Sequence, residues 1–135
     1  MAERAVLVTG AGSGIGRALA EALGRRGTPV VLCDLDAAGL DATRRKIDGP
    51  AWVLTADVTR ADEVERMTAE GRRLAGPLGG LVNCAGIYPV TPLLELSVDE
   101  WDRVMAVNLR GSPPGRPVRV TLDSRPLLEV ENVLP

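Results

Sequence analysis

The feature of the sequence that most constrains the fold is a glycine-rich turn between an apolar run and an amphipathic segment. The turn spans residues 10–16 with the sequence GAGSGIG, and it comes directly after the apolar run Ala5 to Thr9. Glycines let the backbone turn sharply and approach a phosphate closely, and the N–H groups at the start of a helix attract negative charge. The order of a strand, this turn and then a helix predicts a phosphate-binding unit. The alternative is a turn that serves only close helix-to-sheet packing, since the spacing Gly-x-x-x-Gly-x-Gly departs from the Gly-x-Gly-x-x-Gly fingerprint.

The first 110 residues alternate short apolar runs with longer amphipathic segments, which is typical of parallel strands joined by helices. The predicted strands are residues 5–9, 30–34, 52–56 and 81–84. The predicted N-caps of the second, third and fourth helices are Asp36, Thr59 and Ser97. Helical spacing predicts that the following side chains face the core: Ile15, Leu19, Leu23, Leu40, Ile47, Val64, Met67, Leu74, Trp101, Val104 and Met105. Asn108 falls on the same predicted face of the fourth helix.

The chain changes character after Gly111, because five of the ten prolines lie in the last 24 residues and the helical period disappears. We therefore divide it into a folded part, residues 1–111, and a divergent proline-rich tail, residues 112–135. The alternation in Val118 to Leu122 predicts a short strand that could add parallel to the fourth strand. A weaker apolar run lies at residues 127–130.

Asp34 ends the second predicted strand, 18 residues after Gly16. A carboxylate there can accept hydrogen bonds from both ribose hydroxyls of an adenosine and would repel a 2′-phosphate. Ser13 stands where a basic side chain could hold such a phosphate, and Arg17 is predicted to point off the helix. The sequence therefore predicts NAD rather than NADP; the alternative for Asp34 is a solvated strand end.

Composition excludes several other functions. The 16 basic and 18 acidic residues and three aromatic side chains supply neither the charge excess nor the stacking surfaces of a nucleic-acid-binding protein. Because the chain has no histidine, a His-centred triad and a His-ligated metal site are impossible within it. Apolar runs are too short for a membrane span and the N-terminus lacks a secretory signal, so we expect a cytoplasmic protein. Cys33 and Cys84 end strands on opposite sides of the first strand and are expected to remain thiols.

With these residues in view, the sequence resembles the short-chain dehydrogenase/reductase family. Residues 9–16 resemble its cofactor loop, Asp57-Val58 its adenine contact, residues 83–86 its Asn-Asn-Ala-Gly segment with Cys84 replacing the second Asn, and residues 107–111 the segment that holds its catalytic Asn. The resemblance covers residues 5–111, roughly half of a full-length member. It implies an incomplete Rossmann-like, doubly wound parallel α/β sheet in the order 3-2-1-4, with residues 1–111 as the NAD-binding part.

The site residues that the resemblance implies form two groups. Those at the cofactor are Gly10, Ser13, Gly14, Ile15, Gly16, Asp34, Asp57, Val58, Asn83, Ala85 and Gly86. The implied catalytic residue is Asn108, and no metal is implied. Asn108 on an apolar helix face must find hydrogen-bond partners, although backbone groups near a helix end could supply them.

The family transfers a hydride between a nicotinamide and a carbonyl or alcohol, using a Tyr, a Lys four residues later and a Ser. Here the only Tyr, Tyr88, has Pro92 four residues later, and the only Lys is Lys46. We therefore expect an NAD-binding portion that is inactive by itself. Three alternatives stay open: an enzyme for a small alcohol or carbonyl substrate that a partner chain completes, a non-catalytic interaction module whose fourth helix packs on a second copy, and a truncated or frame-shifted product without independent function.

Overall fold

The computed structural model describes residues 4–111, 119–122 and 125–129. The strands are β1 (Ala5–Thr9), β2 (Val30–Asp34), β3 (Ala51–Thr55), β4 (Leu78–Asn83), β5 (Arg119–Leu122) and β6 (Arg125–Glu129). The helices are α1 (Gly14–Arg25), α2 (Ala37–Arg44), α3 (Ala61–Ala75) and α4 (Val98–Met105), and a π-helical turn (Ala106–Arg110) continues α4. No helix in these ranges is long and apolar enough to cross a membrane.

The first four strands form one parallel sheet in the order β3-β2-β1-β4, which confirms the predicted Rossmann-like topology. Successive side chains of a strand point to opposite faces. Leu7 of β1 therefore packs in one core with Met67 of α3, and Val8 packs in the other with Ala20 of α1 and Leu40 of α2. Helices cover both faces, so β1 and β2 are apolar almost throughout.

One helix start and one strand start differ from the sequence predictions, and one predicted N-cap residue makes no capping bond. Thr59 does not cap α3, which begins at Ala61, because the Thr59 amide and hydroxyl bind the Asp57 carboxylate instead. Asp36 occupies the N-cap of α2 but its side chain makes no capping bond, whereas the Ser97 hydroxyl accepts the Glu100 amide as predicted. β4 begins at residue 78 rather than 81: Leu78 and Gly80 already pair with β1, and the two glycines before Leu81 lack the apolar side chains that mark a strand.

Several side chains lie elsewhere than the helical spacing predicted. Ile15 is 82% exposed, because α1 approaches the sheet through the small residues Gly16 and Ala20. The expected buried face of α4 is also wrong, since Trp101 is 53% exposed and Asn108 is exposed. No residue of α4 is fully buried in the part of the chain that the structure describes.

The tail strand corrects a further prediction. β5 pairs antiparallel with β6 in a separate two-stranded sheet and does not add to β4. Neighbouring antiparallel strands need only a short connection, whereas parallel addition to β4 needs a longer crossover. Val118 and Val130 lie outside the described residues, and the boundary after residue 111 stays a prediction.

Candidate functional site

The carboxyl ends of β1, β2, β3 and β4 surround a cleft of about 480 Å³. Chains leave neighbouring strands of a doubly wound sheet toward opposite faces where the strand order reverses, and this opens a crevice at the sheet edge. Every predicted cofactor residue except Asn83 lines this cleft. The lining residues that sequence reasoning missed are Leu35, Ala56, Thr59, Cys84, Ile87, Arg103 and Val107.

Three glycines shape the turn, each for a different reason. Gly10 has φ +67°, and an added Cβ would lie 2.6 Å from the amide nitrogen of Ala85. Gly14 has φ +51°, and a Cβ there would meet no atom within 4 Å, so it faces open space in the cleft. At Gly16 a Cβ would lie 2.2 Å from the carbonyl oxygen of Gly10. The turn is therefore packed tightly against the protein behind it and is open above Gly14.

The start of α1 presents its amides to the cleft. Ser13 occupies the N-cap but its side chain makes no capping bond, and the first turn holds no acidic residue. The amides of the first helical residues have no intrahelical acceptor. Gly14, Ile15 and Gly16 all line the cleft. This end of the helix is therefore suited to an anion such as a phosphate.

Asp34 has a structural contact that sequence reasoning missed. Its Oδ2 accepts the amide of Gly12 at 2.9 Å, and its Oδ1 accepts the amide of Asp36 at 3.1 Å. The carboxylate is half-buried and lines the cleft. Because two carboxylate oxygens offer about four acceptor positions, both contacts leave capacity for hydroxyl donors from a ligand.

The chain after β3 forms the next wall. Asp57 Oδ1 accepts the Thr59 amide at 2.8 Å and the Thr59 hydroxyl at 2.7 Å, while the Asp57 amide donates to Glu63 Oε2 at 2.8 Å. These bonds fix the local turn and place Val58 in the cleft beside Asp57.

Thr9 joins the ends of β1 and β4. Its buried hydroxyl oxygen accepts the amides of Cys84 at 3.2 Å and Ala85 at 3.3 Å, and it lies 3.5 Å from the Val82 carbonyl, to which it can donate. This fixes Ala85 close to Gly10. Asn83 is exposed, pairs with Thr9 in the sheet and does not reach the cleft, so its place at the cofactor stays a prediction.

Asn108 lies in the π-helical turn and binds one backbone residue through both ends of its amide. Its Oδ1 accepts the Ile87 amide at 2.9 Å and its Nδ2 donates to the Ile87 carbonyl at 3.0 Å. The partner is 21 residues away, so the suggestion of local backbone partners is wrong. Asn108 itself does not line the cleft, but it holds Ile87, which does. Its catalytic role stays a prediction.

Three charged side chains line the cleft: the carboxylates of Asp34 and Asp57, and the guanidinium of Arg103 in α4. Burial raises the pKa of Cys84, which lines the cleft, and raises the pKa of Cys33, a buried residue of β2, to about 12. Neither forms a disulfide, as predicted. Within the described ranges, no group of three or more acidic or cysteine side chains is placed to hold a metal ion.

Comparison with known proteins gives sequence relatives over most of the chain. The family profile described as short chain dehydrogenase matches residues 4–113. The chain is 39% identical over 117 residues to (3R)-3-hydroxyacyl-CoA dehydrogenase of Mus musculus, covering 78% of this chain and 45% of that protein. It is 32% identical over 110 residues to NAD-dependent glycerol dehydrogenase of Listeria innocua, covering 82% and 43%. The chain thus spans a little under half the length of these relatives.

Solved structures agree with the fold. A short-chain dehydrogenase/reductase of Brucella melitensis, described as a glucose/ribitol dehydrogenase, superposes with a TM-score of 0.76 at 38% identity, covering 80% of this chain and 47% of that one. An actinorhodin polyketide ketoreductase solved with NADPH gives a TM-score of 0.76 at 36% identity, covering 81% and 43%.

Proposed function

The chain belongs to the short-chain dehydrogenase family, and from that premise we propose that it is the NAD-binding portion of an oxidoreductase acting on alcohol or carbonyl groups. The observation that carries the proposal is the pairing of the glycine turn at the start of α1 with Asp34 at the adjacent strand end, on one cleft. When bound, a nicotinamide dinucleotide supplies the hydride acceptor or donor. The residues of the cleft hold and orient it.

The cleft fits such a cofactor in shape and charge. The amides of Gly14, Ile15 and Gly16 would bind the diphosphate, because they have no helical acceptor and the helix end is positive. Gly14 leaves open space for the close approach of phosphate oxygens. Asp34 would accept the ribose hydroxyls, and the wall formed by Asp57 and Val58 would lie beside the adenine.

The preference for NAD over NADP rests on charge. The Asp34 carboxylate lines the cleft, and beside a bound ribose it would repel a 2′-phosphate. The first cation after the glycine turn, Arg17, is held by backbone carbonyls and the Thr43 hydroxyl. The relatives include an NAD-dependent enzyme and a structure with NADPH, so they do not decide the question. The local charge favours NAD.

We expect no turnover from these 135 residues alone. Proton transfer by a positioned group typically contributes about 10²- to 10⁴-fold to rate, and a phenol acts near neutral pH only beside a cation. Tyr88 is exposed, and Lys46 pairs with Glu21 at 3.4 Å on a different part of the surface. Asn108 would then contribute by fixing the chain at Ile87 beside the cofactor.

Calorimetric titration tests the proposal. The wild-type chain should bind NAD and bind NADP at least about tenfold more weakly, and Asp34→Ala should weaken NAD binding by about tenfold, since hydrogen bonds to a charged group contribute about 1.5–3 kcal/mol. Asp36→Ala is the matched control, because Asp36 is a nearby exposed carboxylate that does not line the cleft. Equal affinities for both cofactors, or unchanged NAD binding by Asp34→Ala, would remove Asp34 from the site.

A second proposal concerns association with a second copy. Leu94, Val98, Trp101 and Leu109 are large apolar side chains with more than half of their surface exposed, on α4 and the segments next to it. Exposed apolar side chains concentrated in one region favour an interface. Light scattering should show a concentration-dependent dimer that Trp101→Gln weakens, and a strict monomer at high concentration would refute this.

A further inference from the structure

Arg17, which was predicted only to point off the helix, lies with Thr43 behind the glycine turn, and the two residues bind its carbonyl groups. Arg17 Nη2 donates to the Gly12 carbonyl, and Arg17 Nε donates to Thr43 Oγ1 at 3.0 Å. Thr43 is fully buried, and its hydroxyl lies 2.8 Å from the Ala11 carbonyl. The hydroxyl also lies 3.0 Å from the Gly39 carbonyl. The Gly39 carbonyl already accepts a backbone amide in the hydrogen-bond ladder of α2. We therefore assign the hydroxyl proton of Thr43 to the Ala11 carbonyl.

These bonds determine the direction of two peptide groups, because the C=O and N–H of a trans peptide point in opposite directions. In the peptide between Ala11 and Gly12, the carbonyl is held by Thr43 and the amide donates to Asp34 Oδ2 at 2.9 Å. In the next peptide, Arg17 holds the Gly12 carbonyl on the side away from the cleft. The amide of that peptide belongs to Ser13, which lines the cleft.

A glycine at position 12 makes this control necessary. A peptide beside a glycine can reverse its direction at little steric cost. A reversed peptide would present the Gly12 carbonyl to the cleft, where its negative end would repel a phosphate. α2 also packs directly on this peptide, since a Cβ at Gly39 would lie 2.6 Å from the Gly12 carbonyl oxygen.

We propose that Arg17 and Thr43 are positioning residues that aim the Ser13 amide at the diphosphate of the bound dinucleotide. The inference rests on the proposed function. In this proposal the Arg17 guanidinium lies behind the turn and does not touch the ligand. It acts on the ligand only through the Gly12–Ser13 peptide, whose carbonyl it binds. Through Thr43, α2 is also a supporting part of the diphosphate site.

The test compares two ligands that differ in their phosphates. Titrations with ADP-ribose, which has the diphosphate, and with adenosine, which has none, use the complete 135-residue chain. Arg17→Gln and Thr43→Val should each weaken ADP-ribose binding about tenfold, the value of one lost charge-assisted hydrogen bond, and leave adenosine binding unchanged. Thr43→Ser keeps the hydroxyl and should bind ADP-ribose within about twofold of wild type.

Two control variants remove similar hydrogen bonds that do not involve the turn. Thr68→Val removes a hydroxyl that donates to a helical carbonyl at 2.9 Å, and Arg44→Gln removes a guanidinium that donates to the Ile47 carbonyl at 2.7 Å. Neither residue lines the cleft. Both should leave ADP-ribose affinity unchanged. The urea unfolding midpoint of each variant shows whether it folds. If Thr43→Val does not fold, Arg17→Gln alone is used to test the inference.

Each outcome decides the inference. A selective loss of ADP-ribose affinity, restored in Thr43→Ser, supports it. Equal losses for ADP-ribose and adenosine would show a general structural effect and overturn it. Wild-type affinity in both Arg17→Gln and Thr43→Val would overturn it while the proposed function stands. If the wild-type chain binds neither ADP-ribose nor NAD, the proposed function fails first and the positioning role fails with it.

Discussion

The same substitution, glycine to alanine, should have opposite effects at two helical glycines. A Cβ at Gly16 would lie 2.2 Å from the carbonyl oxygen and 2.7 Å from the carbonyl carbon of Gly10. These are backbone atoms of the turn and cannot rotate away. A Cβ at Gly71 in α3 would lie 3.5 Å from its nearest neighbours, Leu7 Cδ1 and Val31 Cγ1, which is ordinary contact. Gly71→Ala is therefore the matched control for Gly16→Ala.

The magnitudes result from two opposing terms. Alanine is favoured over glycine inside a helix by about 1 kcal/mol, so Gly71→Ala should raise the free energy of unfolding by about that amount. Gly16→Ala gains the same term but overpacks the turn, at a cost of about 1–3 kcal/mol. Because the clash is with backbone, we take the upper part of that range. We expect a net loss of about 1–2 kcal/mol.

The clash should also weaken binding. Relieving a 2.2 Å contact moves the turn by about 1 Å, and amides displaced that far leave hydrogen-bond range of a phosphate. One such bond to a charged group is worth about 1.5–3 kcal/mol, so NAD affinity should fall at least about tenfold. Urea unfolding and calorimetric titration measure both effects. If Gly16→Ala gains stability as Gly71→Ala does and binds NAD normally, the geometric reasoning is wrong.

Three further changes test other parts of the molecule. Thr9→Val should lower the free energy of unfolding by about 1–3 kcal/mol, since it leaves the Ala85 amide without its acceptor, whereas the Cys84 amide keeps the Thr9 backbone carbonyl. Thr9→Ser should stay close to wild type in urea unfolding, and equal stability of both variants would refute this role of the hydroxyl. Because burial raises the pKa of both thiols, alkylation of Cys84 should be slow at pH 7, should become about tenfold faster per pH unit below the pKa of Cys84, and should be slowed by bound NAD. Cys33, at a pKa of about 12, should stay unmodified in the folded chain. Comparable alkylation rates for the two thiols would contradict this. Ser97→Ala should cost about 1 kcal/mol and speed amide hydrogen exchange in the first turn of α4, and unchanged exchange would show that the cap is not stabilising.

The sheet was predictable because its signal is local and strong. Apolar runs as long as β1 and β2 fit only strands that are covered on both faces, and the glycine turn marks the start of the helix after β1. The fourth helix was not predictable in the same way. Its apolar spacing predicted a buried face, yet Trp101 is more than half exposed in the part of the chain that the structure describes. Spacing shows which side chains share a helix face, but it does not show whether anything packs on that face.

The residues of the cleft were predicted by their place at strand ends, but their contacts were not. Asp34 was identified by type and position and Asp57 by the family resemblance, and the structure shows that both also bind backbone amides. The contacts of Arg17 were not predicted, because nothing in a single sequence shows that a buried hydroxyl 26 residues away is ready to accept its Nε–H. Ile15 was assigned both to the core and to the cofactor, and only its place at the cleft agrees with the structure.

The two contacts of Asp34 change how its variants must be interpreted. Its Oδ2 holds the Gly12 amide, and the carbonyl of the same peptide is held by Thr43, so removing the carboxylate releases one end of a peptide that is fixed at both. A loss of NAD affinity in Asp34→Ala therefore combines a lost ribose contact with a loosened turn. The turn term acts on NAD and NADP alike, because both carry the same diphosphate. The ratio of the two affinities cancels that term and isolates the charge at position 34, so the ratio is the measure of cofactor preference.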